Sequence, residues 1–348
     1  MPFSLSDLEH PVVQAPLGGG ASPAELVAAV AEAGGLGFVA AGYLAADALA
    51  TAIRRVRELT ARPFGVNLFA PPQPVPDPAA VERYARALAE RYGDELGAPR
   101  HDDDGWAAKL ALVEELRVPL VSFTWGSPEP ATVERLHATG AAVWVTITTP
   151  HEAALAERAG ADALIVQGIE AGGHRATFDD RAPSDLGLLA ALQLVGAATE
   201  LPLVATGGIA TGRAIAAVLA AGASAAMLGT AFMLCPEAGT AEAHREALAG
   251  TEETGLTRAF TGRTARGIVN RFQLEHSAGA PLGYPDVHHV TAPLRRAARE
   301  RGDADGFHLW AGQAHELARA EPAGELVVRL ADEARAALAG AADRYRRG

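Results

Sequence analysis

Short runs of continuous apolar residues recur along the chain at 12–15, 38–41, 64–69, 120–125, 142–148, 163–167, 203–206 and 225–228. They are rich in Val, Ile, Phe and Thr and scarcely alternate with polar positions. That is the pattern of parallel strands buried on both faces. Between them lie stretches rich in Ala, Leu, Glu and Arg, clearest at 23–33, 45–60, 150–159 and 211–221. Ser22 before Pro23 and Thr149 before Pro150 predict an N-cap followed by the first helical position. Gly34, Gly160 and Gly222 predict the corresponding stops.

Eight strand–helix alternations over about 240 residues predict a (β/α)8 TIM barrel. A doubly wound sheet is the rival. It would need a glycine fingerprint between a first strand and a first helix, and neither 18–20 (GGG) nor 35–40 (GLGFVA) has both the spelling and the setting. Two regions break the alternation. Residues 71–78 (PPQPVPDP) form a stiff loop before a long helical stretch, 79–116, interrupted near Pro99 by the acidic run 102–104, which reads as a solvated face or turn. The tail from 251 carries Pro281, Pro285, Pro293 and many histidines, then a helical pattern over 324–347. The expected organisation is a barrel core at 1–235, a mainly helical addition over the barrel mouth at 236–325, and a C-terminal helix at 326–348 packing back on the barrel.

Composition narrows the class. The chain has 348 residues, 49% hydrophobic and 21% charged, enough for a sizeable core. Its 30 basic against 42 acidic residues give a net charge of −12, which argues against nucleic acid as a partner through a basic face. The single cysteine, Cys235, allows no internal disulfide and fits a reducing cytoplasm. The N-terminal segment has neither the basic nor the apolar region of a secretory signal. Residues 214–235 are uncharged and long enough to span a bilayer, but Gly222, Ser224, Gly229 and Thr230 make them a helix end followed by a buried strand.

In a barrel the chemistry lies at the carboxyl ends of the strands. The seventh strand ends in Gly207 and Gly208 and the eighth in Gly229 and Thr230, two turns expected to cradle a phosphate with backbone N–H groups and a helix dipole. The sixth ends in Gln167 and the segment GIEAGGHR (168–175), where His174 on a glycine-rich backbone is the expected acid–base group. Glu170 is expected to pair with Arg175 or a neighbour. Leu17 and Gly18 end the first strand, Asn67 is a lone amide in the third, and the fourth offers hydroxyls and Trp125 as an aromatic wall. His10, His101, His137, His151, His244 and His315 read as structural or exposed, and His288–His289 as too weak a pair for a metal. No metal site, nucleophile elbow or Walker loop is present.

These residues together carry a resemblance. QAPLGGGASP (14–23), GVNLF (65–69), GIEAGGHR (168–175), ATGGI (205–209) and LGTAF (228–232), with GYP (283–285), TAPLRRAA (291–298) and LWAGQ (309–313), resemble the class I nitronate monooxygenases, formerly 2-nitropropane dioxygenases. The resemblance covers nearly the whole chain. It implies non-covalent FMN held by Asn67, Gln167, Gly172, Gly207, Gly208, Met227, Leu228, Gly229 and Thr230, with Pro16, Leu17 and Gly18 against the ring and His174 catalytic. Leu17 and Met227 depart from the methionine and glutamine common at those places. The implied reaction oxidises alkyl nitronates, such as propionate 3-nitronate, with O2 to a carbonyl compound and nitrite, and leaves room for a homodimer. An FMN-dependent enoyl-acyl-carrier-protein reductase using NAD(P)H, a non-catalytic FMN-binding barrel and a flavin-free sugar-phosphate lyase stay open beside it.

Overall fold

The computed structural model describes residues 3–347. In chain order its elements are β1 (Val12–Gln14), α1 (Ala24–Glu32), β2 (Phe38–Ala40), α2 (Ala46–Leu59), β3 (Gly65–Phe69), α3 (Pro78–Tyr92), α4 (Trp106–Glu115), β4 (Leu120–Thr124), α5 (Pro130–Thr139), β5 (Ala142–Ile147), α6 (Pro150–Ala159) and β6 (Ala163–Gln167). There follow β7 (Gly173–His174), α7 (Leu188–Gly196), β8 (Leu203–Thr206), α8 (Gly212–Ala220), β9 (Ala225–Leu228), α9 (Glu242–Leu248), β10 (Thr254–Thr257), β11 (Ala265–Ile268), α10 (Arg271–His276), α11 (Asp286–Glu300) and α12 (Ala323–Arg347). All eight apolar runs are strands, paired in parallel in the order β1-β9-β8-β6-β5-β4-β3-β2. Their residues are buried on both faces, which is why the sequence showed runs and not alternation.

Two backbone bonds, Gln14 N–H to the Leu36 carbonyl at 2.8 Å and Leu36 N–H to the Val12 carbonyl at 3.1 Å, begin the closure between β1 and β2, and a side chain extends it. Val13 bridges Leu36 just before β2. The fully buried Gln14 accepts the Phe38 N–H at its Oε1, 3.1 Å away, and donates from Nε2 to the Ser22 hydroxyl at 2.7 Å. Ser22 is therefore spent on Gln14 and on the Leu17 N–H, and Pro23 stands in the capping position without a side-chain cap. That corrects the expected Ser22 cap. Thr149 does cap α6, accepting from the Glu152 N–H. Inside the barrel, Phe38, Trp144, Ile165 and Met227 belong to one packed cluster, and Phe3, Leu5 and Leu8 pack against it from the amino-terminal segment.

The acidic run is more than a solvated turn. Asp104 pairs with Lys109 Nζ at 2.6 Å, and that buried ammonium also donates to the Ala41 carbonyl. The other Asp104 oxygen accepts the Tyr43 N–H at 2.9 Å, so the run pins the β2–α2 loop. Residues 214–235 are divided between the end of α8, β9 and a turn, and among the described residues no helix is long and apolar enough to cross a membrane.

The tail builds two structures. Strands β10 and β11 pair antiparallel, and β11 also pairs with β7, through Ala265 with His174 and Arg266 with Gly173. Helix α12 packs along α8 and α1, and its Glu333 accepts the Gly212 N–H at the start of α8 at 3.0 Å.

Replacing Gln14 with Leu keeps the volume but strands the Phe38 N–H, so the variant should lose about 1–3 kcal/mol. Urea unfolding followed by circular dichroism checks this, and an unchanged midpoint would refute the closing role.

Candidate functional site

At the carboxyl ends of the strands lies a cavity of about 480 Å³ roofed by the tail. That size fits a small-molecule site, commonly about 300–1,000 Å³. Every residue singled out from sequence lines it: Pro16, Leu17 and Gly18 after β1, Asn67 in β3, Gln167 ending β6, Gly172 and His174 around β7, Gly207 and Gly208 after β8, and Met227, Leu228, Gly229 and Thr230 at the end of β9.

Hydrogen-bond accounting shows what these groups still have to offer. Asn67 is buried and donates from Nδ2 to the hydroxyls of Ser122 and Thr124, at 2.9 and 3.0 Å, and toward the Ser122 carbonyl. The carbonyl partner fixes the amide's orientation, which leaves Oδ1 as an unspent acceptor. Gln167 Oε1 accepts from Arg175 at 2.8 Å and from the Ala176 N–H at 2.9 Å, and Nε2 donates to the His174 carbonyl at 3.1 Å. One Nε2 hydrogen remains free. Among the described residues, the N–H groups of Gly208, Gly229 and Thr230 have no intramolecular acceptor. Three unpaired N–H groups on adjoining turns form a concave anion cradle.

The cradle differs from expectation in one respect. The first N–H of α8 is already taken by Glu333, and Thr211 caps the Ala214 N–H. The donors left unpaired are therefore on the glycine turns and not at the helix end. Gly208 sits at φ +66°, and a β-carbon there would lie 2.9 Å from the Glu170 side chain, so both backbone and space demand glycine. Gly229 is different. Its backbone is ordinary, and a β-carbon would merely touch Leu17 and Ala15 as it entered the cavity.

His174 donates or accepts at Nε2 with the Thr261 hydroxyl, 2.9 Å away, and that hydroxyl has the Arg263 carbonyl as its own acceptor at 3.3 Å. This chain of partners assigns the imidazole proton to Nε2. Nδ1 has no protein partner and is left accessible in the cavity. The ring is walled by Trp125, whose plane crosses it at 88° with centroids 5.3 Å apart, and by Trp310 at 5.5 Å. Burial first, then the charges of Arg263 and Arg295, push its pKa down to about 3. The imidazole is neutral at physiological pH.

Glu170 does not pair with Arg175. Both its oxygens accept the Leu188 N–H at the start of α7, at 3.0 and 3.1 Å. Arg175, fully buried, is held instead by Gln167, the Gly168 carbonyl and the Ser184 carbonyl. Cys235 is buried with its thiol pushed up to about 12, chiefly by burial, so it is a packing residue. His244 and His315 bond to backbone carbonyls of Trp310 and of Leu248 and Glu252. No metal-binding group of His, Cys, Asp or Glu occurs among the described residues.

Several lining residues escaped the sequence reading. Tyr43 is one of them; it and Trp125, the aromatic wall expected from sequence, both hold left-handed backbones, at φ 67° and 76°. Such strain in non-glycine residues collects at functional sites. Tyr43 stacks on His288 with centroids 4.3 Å apart and planes 2° from parallel. His288, Arg295 and Arg299 come from α11 and His308 from the loop beyond it. The available signal was helical spacing: 288, 292, 295 and 299 fall on one face of α11.

Comparison with known proteins bears on the same span. The family model described as nitronate monooxygenase matches residues 3–333. A nitronate monooxygenase of Pseudomonas aeruginosa is 43% identical over 346 residues, covering 95% of this chain and 98% of that protein. The crystal structure of nitroalkane oxidase from Streptomyces ansochromogenes is 51% identical, with a TM-score of 0.93, covering 97% of this chain and 99% of its own. FabK from Thermotoga maritima is 25% identical with a TM-score of 0.76, covering 98% of this chain and 96% of its own. With likeness in sequence and in fold extending from the first strand into the last helix, this chain belongs to the nitronate monooxygenase family.

Proposed function

We propose that this chain binds FMN in the cavity and oxidises alkyl nitronates with O2 to a carbonyl compound and nitrite. The family is flavin-dependent. The donor and acceptor inventory fits that cofactor. The free N–H groups of Gly208, Gly229 and Thr230 suit its phosphate. The unspent Asn67 Oδ1 and the free Gln167 N–H suit the polar edge of a flat heterocycle. Pro16, Leu17 and Gly18 would lie against its face. When bound, FMN supplies the electron acceptor for the substrate and the electron donor for O2.

The observation that carries the reading is an imidazole whose Nε2 is held by Thr261 and whose Nδ1 faces the same cavity as the glycine turns. His174 Nδ1 can take the α-proton of a neutral nitroalkane and so make the nitronate in place. The Thr261 hydroxyl, accepting from Nε2–H, holds that tautomer through the transfer. Trp125 and Trp310 keep water from the ring. The reduced, buried Cys235 suits a cytoplasmic setting.

Purified protein should be yellow and should release nitrite from propionate 3-nitronate or ethyl nitronate. Colourless protein that takes up no FMN, or NADH consumption with an enoyl thioester and no nitrite, would overturn the assignment. His174→Ala should keep its FMN and lose most turnover with nitroethane, roughly 10²–10⁴-fold for a lost general base. Nitrite assays at matched flavin content check it. Because the His174 pKa is depressed, the ring stays unprotonated throughout neutral pH. Activity should therefore show no ionisation near 6.5 from this group, and a pH profile of kcat/KM that falls below that value would contradict the neutral ring. Gly229→Val should release FMN, measured as the flavin-to-protein absorbance ratio, because its side chain occupies the cradle.

A further inference from the structure

The tail brings positive charge into the cavity without counter-ions. Arg295 and Arg299, which line it, have no carboxylate within ion-pair distance among the described residues. Arg295 is buried and lines the cavity. Burial lowers it only to about 10, so it is charged at neutral pH. A buried cation without a carboxylate is costly unless something else satisfies it.

Its donors are spent in a telling way. Nε donates to the Thr291 hydroxyl at 2.9 Å, Nη1 to His308 Nδ1 at 3.1 Å, and Nη2 to His288 Nδ1 and the His288 carbonyl, both at 3.1 Å. A guanidinium has five N–H groups and cannot accept. Each imidazole must therefore meet Arg295 with an Nδ1 lone pair, which puts its proton on Nε2. The Arg299 contact to His308 Nε2, at 3.5 Å, lies at the limit of a hydrogen bond and does not compete. Stacking on Tyr43 fixes the plane of the His288 ring. Among the described residues His288 Nε2–H has no acceptor, and one Arg295 N–H is left over.

We propose that Arg295, with the two imidazoles whose tautomers it fixes, is the subsite that receives the oxygens of the nitro or nitronate group. His174, which shares the Trp310 wall with His308, then addresses the carbon-bound proton beside it. His288 Nε2–H and the spare Arg295 N–H are respectively a neutral and a charge-assisted donor set for a planar, trigonal anionic head. Arg295 is thus both a contact to the anion and the residue that positions His288. This rests on the nitronate reading above, but the subsite itself is an anion site that can be tested apart from turnover.

The probe is sodium nitrate, a planar anion shaped like the nitronate head. Nitrate titration of tryptophan fluorescence uses Trp310, whose ring centroid is 4.9 Å from that of His308. Wild-type protein should bind nitrate, and nitrate should compete with ethyl nitronate. Arg295→Met should weaken nitrate binding at least tenfold and lower kcat/KM for ethyl nitronate roughly 10²-fold at unchanged flavin content. Arg295→Lys should recover part of both, since it restores the charge but not the fork. His288→Gln, which keeps a donor but loses the tautomer relay, should raise KM more than it lowers kcat. His174→Ala should leave nitrate affinity within about twofold. Unchanged nitrate affinity in Arg295→Met and Arg295→Lys, or equal loss in His174→Ala, would overturn the subsite. Nitrate binding that behaves as stated in protein that never releases nitrite would sink the oxidation reading and leave the anion site standing.

Discussion

The backbone pairing of β7 with β11 is the constraint on which the site depends. β7 is only two residues long, and it pairs with no strand of the barrel sheet but with β11 of the tail. The Arg175 N–H donates to the Thr264 carbonyl at 2.8 Å, extending the pairing. From the barrel side, Gln167 grips the same segment at the His174 carbonyl and the Ala176 N–H. Glu152 holds the next stretch through the Thr177 hydroxyl and the Phe178 N–H. Asp180 ties it back to Thr264 and Arg258. His174 is thus clamped between two layers, and its ring is aimed from both.

The electrostatics of the cavity run against those of the chain. A protein of net charge −12 concentrates uncompensated guanidinium groups on one wall of its pocket and neutral imidazoles around them. Burial keeps the imidazoles uncharged, since each additional cation beside Arg295 would meet both desolvation and repulsion. The result is a pocket that attracts anions without protonating them. The glycine cradle adds a second anion-seeking end that uses backbone dipoles alone, so the two ends attract negative groups by different means.

The barrel was legible because its strands are buried on both faces and their boundaries carry glycine and proline. The eight runs differ from the observed strands by no more than a residue at each end, and the cap at Thr149 follows directly from its sequence. Ser22 misled because its hydroxyl serves tertiary closure through Gln14, which local rules do not see. Asp104 misled for the same reason: its partner Lys109 is buried, and its target Tyr43 lies on another loop. The strand-end groups could be found because a barrel collects them at one rim. His288, His308 and Arg295 could not, because their meeting depends on how the tail folds back, and whole-chain charge pointed the other way. Their spacing on α11 was readable only once that helix had a place.

The pairing of His174 with Ala265 also sets an order of assembly. A chain emerging from the ribosome can lay down its parallel strands one after another, but the histidine strand must wait for a partner synthesised roughly ninety residues later. Until then the glycine-rich segment has nothing to pair with on its outer side. The His174 segment therefore stays unpaired on that side until the chain has passed Ala265, and a chain ended before that point would carry the barrel strands without this histidine in place.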